Sequence, residues 1–468
     1  MKILLLNPPA YLGVAQVREG RCMQRMGAWS SLWPPLSLAL TAAVLRRSGH
    51  EVRLIDAVAE TVPLAAVFER ASAFAPDWCI VNTATPSIAG DVATAAAVTA
   101  AVPQCRTALI GIHPTALPDD TLQLSPAVTA VIRGEPEAAA LDLASGEPLA
   151  GIPGISYRAA NGIAHNPDRP PIANLDMLPY PAWDLIDRRH YRLPLSGQSF
   201  LLAATGRGCP FNCAFCADHV YYGRQLRRFS PRRIVDELEH DLTEYSIDQF
   251  LFWAESFTLD RQHALAVADE ITRRGLKIGW VCNSRTDQVD LAMLQVFRRA
   301  GCWMIGFGLE SGSQRVLDLM GKGATIDQSR QAVQWARQAG LQVTGHMMLG
   351  YPGETRSELL QTAAFARALA LDYVQFYTAV PFPGSALYEQ ARRCGWLVTD
   401  DWRYYEQNYG VLRTGQLTPR MVESLRRSAY RRFYLRPSQL LRTAARLRTW
   451  TAWRQALRAL AGFGDWAG

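Results

Sequence analysis

Thr205-Gly206-Arg207-Gly208-Cys209-Pro210-Phe211-Asn212-Cys213-Ala214-Phe215-Cys216 places three thiols on one short loop, spaced by three and then two residues. The loop directly follows Leu201–Ala204, an apolar run with the length and composition of a buried strand. Similar runs recur at intervals of roughly 25–50 residues, at 250–253, 278–282, 303–307, 343–348 and 373–378, with helical patterns between them. Six strand–helix units are too few for a closed eight-stranded barrel but enough for an open, partial (β/α)6 barrel. The site of such a barrel belongs at the C-terminal ends of its strands.

Toward the N-terminus the first ~145 residues alternate in the same way. Runs at 3–6, 52–55, 78–81, 108–110 and 130–132 are separated by helical patterns, one of them ending at Ser48-Gly49. Five buried strands joined by helices predict an α/β, Rossmann-like, doubly wound parallel sheet with ligands beyond the carboxyl ends of its strands. Asn7-Pro8-Pro9, the stretch with Thr83, Thr85 and Ser87, Gly111-Ile112-His113, and Gly134-Glu135-Pro136 follow those ends. They are small, hydroxyl-rich and proline-stiffened, and they lack the G-x-G-x-x-G of a nicotinamide dinucleotide site. The predicted organisation is a Rossmann-like domain over 1–146, a Pro/Gly-rich linker over 147–195 with a hairpin near Asn161-Gly162, the partial barrel over 196–385, and an aromatic, then basic and helical region over 386–468.

Composition narrows the class. Apolar residues make up 49% and charged residues 19% of the 468, the balance of a folded chain with several cores. Neither a signal peptide nor a spanning helix fits the start, and nine scattered cysteines suit a reducing compartment, so a cytoplasmic location is expected. The net charge of +7 is not a nucleic-acid signal. Residues 414–468 hold eleven arginines against Glu423 and Asp465, so the remainder is slightly acidic. That tail interleaves arginine with leucine at helical spacing, a pattern that either packs on the chain's own body or makes peripheral contact with the inner face of an anionic membrane.

Three thiolates from one loop suit a [4Fe–4S] cluster with one iron left open to chelate an amine and a carboxylate. The rival is zinc on the same cysteines with His219 as fourth ligand. Cysteines 22, 79, 105, 282, 302 and 394 show no such spacing.

The cysteine loop, its place after a first barrel strand and the six-unit alternation resemble the radical S-adenosylmethionine superfamily. The resemblance implies a cluster on Cys209, Cys213 and Cys216 and reductive cleavage of S-adenosylmethionine to a 5′-deoxyadenosyl radical. It also implies contacts to that cosubstrate from Phe215, Glu255, Ser284, Arg285, Glu310, Ser311 and His346. Read with the first domain, the chain looks like the branch whose radical core follows a cobalamin-binding domain. Asn7-Pro8-Pro9, Trp33-Pro34-Pro35-Leu36, Arg133-Gly134-Glu135-Pro136-Glu137 and the tail's Tyr430-Arg431-Arg432-Phe433-Tyr434 carry that likeness. It implies cobalamin contacts from Asn7, Pro8, Pro9, Thr83, Thr85, Ser87, Gly111, His113, Gly134, Glu135 and Pro136. The D-x-H-x-x-G motif that brings a histidine to cobalt in other cobalamin proteins is absent, as in many radical members.

The expected activity is methylation of an unactivated carbon or phosphorus of a small molecule, with methylcobalamin as carrier and a flavodoxin- or ferredoxin-type protein as one-electron reductant. No catalytic side chain is assigned beyond the cluster and cofactors. An oxidative ring cyclase is the first alternative, and a non-catalytic cobalamin or iron–sulfur sensor the second. Trp29, Trp33 and residues 402–409 are aromatic enough to wall a flat substrate or simply to pack. Metal analysis with an anaerobic ultraviolet–visible spectrum should find iron and cobalt with little zinc; zinc alone would return the loop to its rival reading.

Overall fold

The computed structural model describes residues 1–19, 25, 32–194 and 196–446. Cys22, Trp29 and the tail side chains beyond Ala444 lie outside the described residues, so the reading of the tail's far end is not addressed.

Strands β1 (Lys2–Asn7), β2 (Glu51–Asp56), β3 (Trp78–Asn82), β4 (Arg106–Ile110) and β5 (Ala130–Ile132) run parallel in the order β2-β1-β3-β4-β5. β3 and β5 are buried at every residue, as strands covered on both faces by helices must be. The strand order reverses between β1 and β3, where a doubly wound sheet opens its crevice.

The hairpin expected near Asn161-Gly162 forms, and it belongs to the first sheet. The stretch read as a linker supplies β6 (Ile155–Ala159) and β7 (Gly162–His165), an antiparallel hairpin that pairs with β5 and completes a seven-stranded sheet. β5 has only three residues, and the hairpin satisfies the edge it would otherwise leave bare. The rest of the segment packs on the same unit. Trp183 is fully buried, the Ala182 amide donates to the Ala39 carbonyl at 3.0 Å, and the Tyr191 hydroxyl donates to Asp56 at 2.5 Å.

The second sheet contains β8 (Leu201–Ala204), β11 (Gln249–Trp253), β12 (Gly279–Ser284), β13 (Cys302–Glu310), β14 (Gln342–Leu349) and β15 (Tyr373–Thr378), all parallel and in sequence order. Between β8 and β11, the two-residue strands β9 (Gly206–Arg207) and β10 (Arg227–Arg228) pair antiparallel and fasten the cysteine loop at its base. The six strands form the expected partial barrel.

Such a barrel leaves the outer edge of β15 without a neighbouring strand. The helix Pro419–Tyr434 lies along it and caps it with side chains. Tyr434 Oη accepts from the Val374 amide at 3.0 Å and donates to the Val374 carbonyl at 2.8 Å. Tyr430 Oη does the same for Phe376 at 2.8 and 3.2 Å, and Arg426 Nε donates to the Phe376 carbonyl at 2.7 Å. Residues 426, 430 and 434 are four apart, so one helix face presents them in a row, while alternate strand residues present their amides in a row. The two repeats nearly match. Tyr430→Phe removes the hydroxyl that accepts from the buried Phe376 amide and should cost about 1–3 kcal/mol in denaturant unfolding; an unchanged midpoint would show the row to be incidental.

Candidate active site

A cavity of about 1090 Å³ lies between the C-terminal edges of the two sheets and continues down the hollow of the barrel. Its wall includes Cys209, Cys213 and Cys216 on one side and Asn82, Thr83, Gly111 and Ile112 of the first sheet on the other. The volume exceeds that of an ordinary single-ligand pocket.

The cysteine loop is held from both ends. Ala214, between two of the cysteines, donates to the Met320 carbonyl at 2.9 Å and accepts from the Leu387 amide at 2.8 Å. At Gly208, with φ +87°, an added Cβ would stand 2.2 Å from the Gln225 carbonyl oxygen, so the chain can turn there only as glycine. All three cysteines are partly accessible, whereas cysteines 79, 105, 282 and 302 are buried. Among the described residues no three His, Cys, Asp or Glu side chains are gathered closely enough to hold a single ion. Zinc needs all its ligands within about 2.3 Å of one centre. A polynuclear cluster takes one thiolate per iron and needs its sulfurs apart.

Around the loop stand several side chains expected from the sequence. The Arg285 guanidinium stacks 3.6 Å over the Phe211 ring and reaches Cys213 Sγ at 3.8 Å, while Asp287 holds its other face at 2.8–2.9 Å. Glu310 adopts φ +61°, rare for a residue with a side chain, at a break in the β13–β14 register, and its carboxylate accepts from Lys322 Nζ at 2.8 Å. Lys322 and Asp287 were not foreseen, because neither carries a spacing signal; the glycines flanking Lys322 were the one available hint. Phe215, Glu255, Ser284 and His346 also line the cavity, although Ser284 Oγ is engaged with Thr258 and the Arg285 carbonyl. Ser311 does not. It is fully buried against Thr362 at 3.1 Å and supports the turn into the next helix by accepting from the Ser313 amide.

The first-sheet residues divide in the same way. Thr83 and Gly111 face the cavity, and Gly111 is needed because a Cβ would lie 2.7 Å from the Thr83 carbonyl oxygen. Pro8, Pro9 and Ser87 belong to a buried knot across the crevice: Arg18 pairs with Asp91 at 2.8 Å and donates to the Pro8 carbonyl at 2.8 Å and the Pro9 carbonyl at 3.3 Å, while Ser87 donates to Asp91 at 2.7 Å. Asn7 is bonded to Asp56, and Thr85 is buried away from the cavity. Pro9 also borders a smaller cavity of about 430 Å³ beside β1 and β2. His113 turns from the large cavity, edge-on to Trp402 at 4.8 Å, and burial pushes it down to about 3, so it is a neutral core residue. The Gly134 amide donates to Thr115, and Glu135 is spent elsewhere: with Glu137 it receives Arg207 of the cysteine loop, at 2.9 Å for Glu135, and it also pairs with Arg227. Of the aromatic residues offered as a substrate wall, Trp33 lines the cavity, edge-on to Trp253 at 5.2 Å, whereas Trp402, Tyr404, Tyr405 and Tyr409 do not.

Residues 26–144 match the B12 binding domain and residues 204–366 the Radical SAM superfamily. The chain is 34% identical over 94% of its length to an uncharacterized methyltransferase, PH0819, of Pyrococcus horikoshii, and covers 94% of it. It is 27% identical over 83% of its length to the anaerobic magnesium-protoporphyrin IX monomethyl ester cyclase of Rubrivivax gelatinosus, covering 70% of that protein. Among solved structures, the cobalamin-dependent S-adenosylmethionine radical enzyme OxsB, with aqua-cobalamin and S-adenosylmethionine bound, superimposes with a TM-score of 0.73 at 16% identity, over 92% of this chain and 65% of that one. The chain belongs to the radical S-adenosylmethionine superfamily, in the branch that carries a cobalamin-binding domain before the radical core.

Glu19 borders the cavity in full burial, bonded to Ser37 at 2.7 Å and near Arg207, Glu137 and Tyr221. Burial raises its carboxyl from 4.5 to about 7, against the lowering influence of Ser37 and Arg207. The folded chain therefore holds this proton more tightly than the unfolded chain, so the group's stabilising share is complete below about pH 4.5 and lost as pH rises through 7. Denaturant midpoints measured across that window should fall by an amount worth up to about 3 kcal/mol, and Glu19→Gln should flatten the slope.

Proposed function

We propose that the protein methylates an unactivated carbon or phosphorus of a small molecule, receiving electrons one at a time from a flavodoxin- or ferredoxin-type donor. The observation that carries this reading is the single cavity walled by the cluster cysteines on one side and by the ligand-facing edge of the B12-type sheet on the other. When bound, the cluster and S-adenosylmethionine supply a hydrogen-abstracting radical, and cobalamin supplies a methyl carrier.

The chain's own residues hold and shield these groups. Cys209, Cys213 and Cys216 would ligate the cluster, with the Arg285 guanidinium beside Cys213. Glu310 and Lys322, a buried pair at the strand ends, would meet the polar parts of the cosubstrate, with Glu255 nearby. Thr83 and Gly111 offer a small, backbone-rimmed surface to a broad planar ligand. The Arg18–Asp91 knot keeps that surface rigid. Binding in a walled cavity excludes water and fixes the reactants' approach.

The helix Pro437–Arg446 exposes Leu440 and Leu441 beside arginines, which supports peripheral contact with an anionic membrane; no helix among the described residues is long and apolar enough to cross one. The cyclase relative favours a second reading, ring closure without methyl transfer.

Anaerobic assay with S-adenosylmethionine and a reductant decides among these. Wild type should release 5′-deoxyadenosine together with S-adenosylhomocysteine, and Cys→Ala at 209, 213 or 216 should abolish the 5′-deoxyadenosine. 5′-Deoxyadenosine without S-adenosylhomocysteine would favour the cyclase reading, and no cleavage by cluster-loaded protein would favour a sensor.

A further inference from the structure

The large cavity does not stop at the cysteine loop. It follows the hollow of the barrel down to the opposite, N-terminal ends of the strands, where Gln249, Trp303, Gln342 and Tyr373, at or next to the first residues of their strands, form its rim. Among the described residues that line it, the exposed ones are Pro194, Ser196 and Gln198, all on the hairpin loop that enters β8. The mouth toward solvent is therefore at the barrel's floor, away from the cofactor end.

The hollow is kept open by its sequence. Along β13 the inward positions 306 and 308 are glycine; a Cβ at 306 would stand 2.3 Å from Asn283 Oδ1 and 3.1 Å from His346 Nε2, and one at 308 would stand 2.8 Å from Lys322 Nζ. Above the rim the wall is apolar, with Leu251, Val281, Met304 and Trp253. Higher still it turns polar, where Asn283, His346, Gln375 and Tyr377 meet; His346 Nδ1 lies 3.2 Å from the Tyr377 hydroxyl, and the two rings are parallel within 7°. At ~3.3 Å per strand residue, the path from Gln342 to Met348 is roughly 20 Å long.

We infer that this hollow is a substrate channel entered from the floor, and that the substrate is an elongated, mostly apolar molecule with a hydrogen-bonding group part-way along it. Its leading end reaches the cysteine loop, the polar group rests against Asn283, His346 and Gln375, and the apolar stem trails toward the rim. This rests on the methyltransferase reading and adds the substrate class to it. The helix bearing exposed Leu440 and Leu441 is anchored next to the mouth, since Gln439 Nε2 donates to the carbonyl of Asp372, the neighbour of rim residue Tyr373.

The test uses full-length, cluster-loaded protein and cis-parinaric acid, a fluorescent fatty acid, as the probe. Wild type should bind it saturably, and Ser196→Trp with Gln198→Trp, or Gln342→Trp from the opposite rim, should weaken binding about tenfold or more. Cluster absorption of each variant verifies that it is folded. Wild type that cleaves S-adenosylmethionine without binding the probe would overturn the channel and leave the proposed function standing. So would binding that ignores the rim substitutions, or that Leu441→Ser alone removes, since the probe would then sit on the outer helix. Failure of wild type to cleave S-adenosylmethionine would instead overturn the function on which the inference rests.

Discussion

The structure depends on one buried charge. Arg207, two residues before Cys209, leaves the barrel and enters the carboxylates of Glu135 and Glu137 at the end of β5. Glu135 also takes Arg227, the partner of Arg207 in the β9–β10 ladder, so both strands at the base of the cysteine loop are tied to the first sheet. All four side chains are almost completely shielded from water. A buried ion pair gives little net stability over a well-packed apolar contact, but removing one partner strands the other at a cost of about 3–5 kcal/mol. Its value here is geometric, because it fixes which edge of one sheet faces which loop of the other.

The two halves need that constraint because each is incomplete alone. The first sheet offers backbone and small side chains and brings no histidine from its own edge to the cavity, His113 being turned into the core. The barrel offers thiols, a guanidinium and a Glu–Lys pair. Only their opposition gives one cavity two chemically different walls.

Much of this was legible in the sequence. Period and apolarity located the strands of both sheets to within a residue or two at most ends, and the Cys209–Cys213–Cys216 spacing named the radical class. What stayed hidden is tertiary. Glu135 and Pro136 follow a strand end as a ligand contact would, and nothing local tells that Glu135 faces an arginine 72 residues away. Ser311 sits beside Glu310, yet the left-handed backbone at 310 turns it into the core. The hairpin at 155–165 is legible from its Asn161-Gly162 turn, but nothing local tells that its short strands extend the first sheet. Lys322 lies in a loop outside any helix or strand, so no periodicity could mark it.

The row of hydroxyls along β15 has a consequence for the life of the protein outside its catalytic cycle. The last strand of the barrel is terminated by side chains on a helix, not by another strand, so the outward amides and carbonyls of Val374 and Phe376 are occupied only while that helix is seated. Were it to lift, an unguarded parallel edge would be open to any extended peptide, including the same strand of another molecule. The phenols of Tyr430 and Tyr434 thus cover an edge that would otherwise be open to self-association.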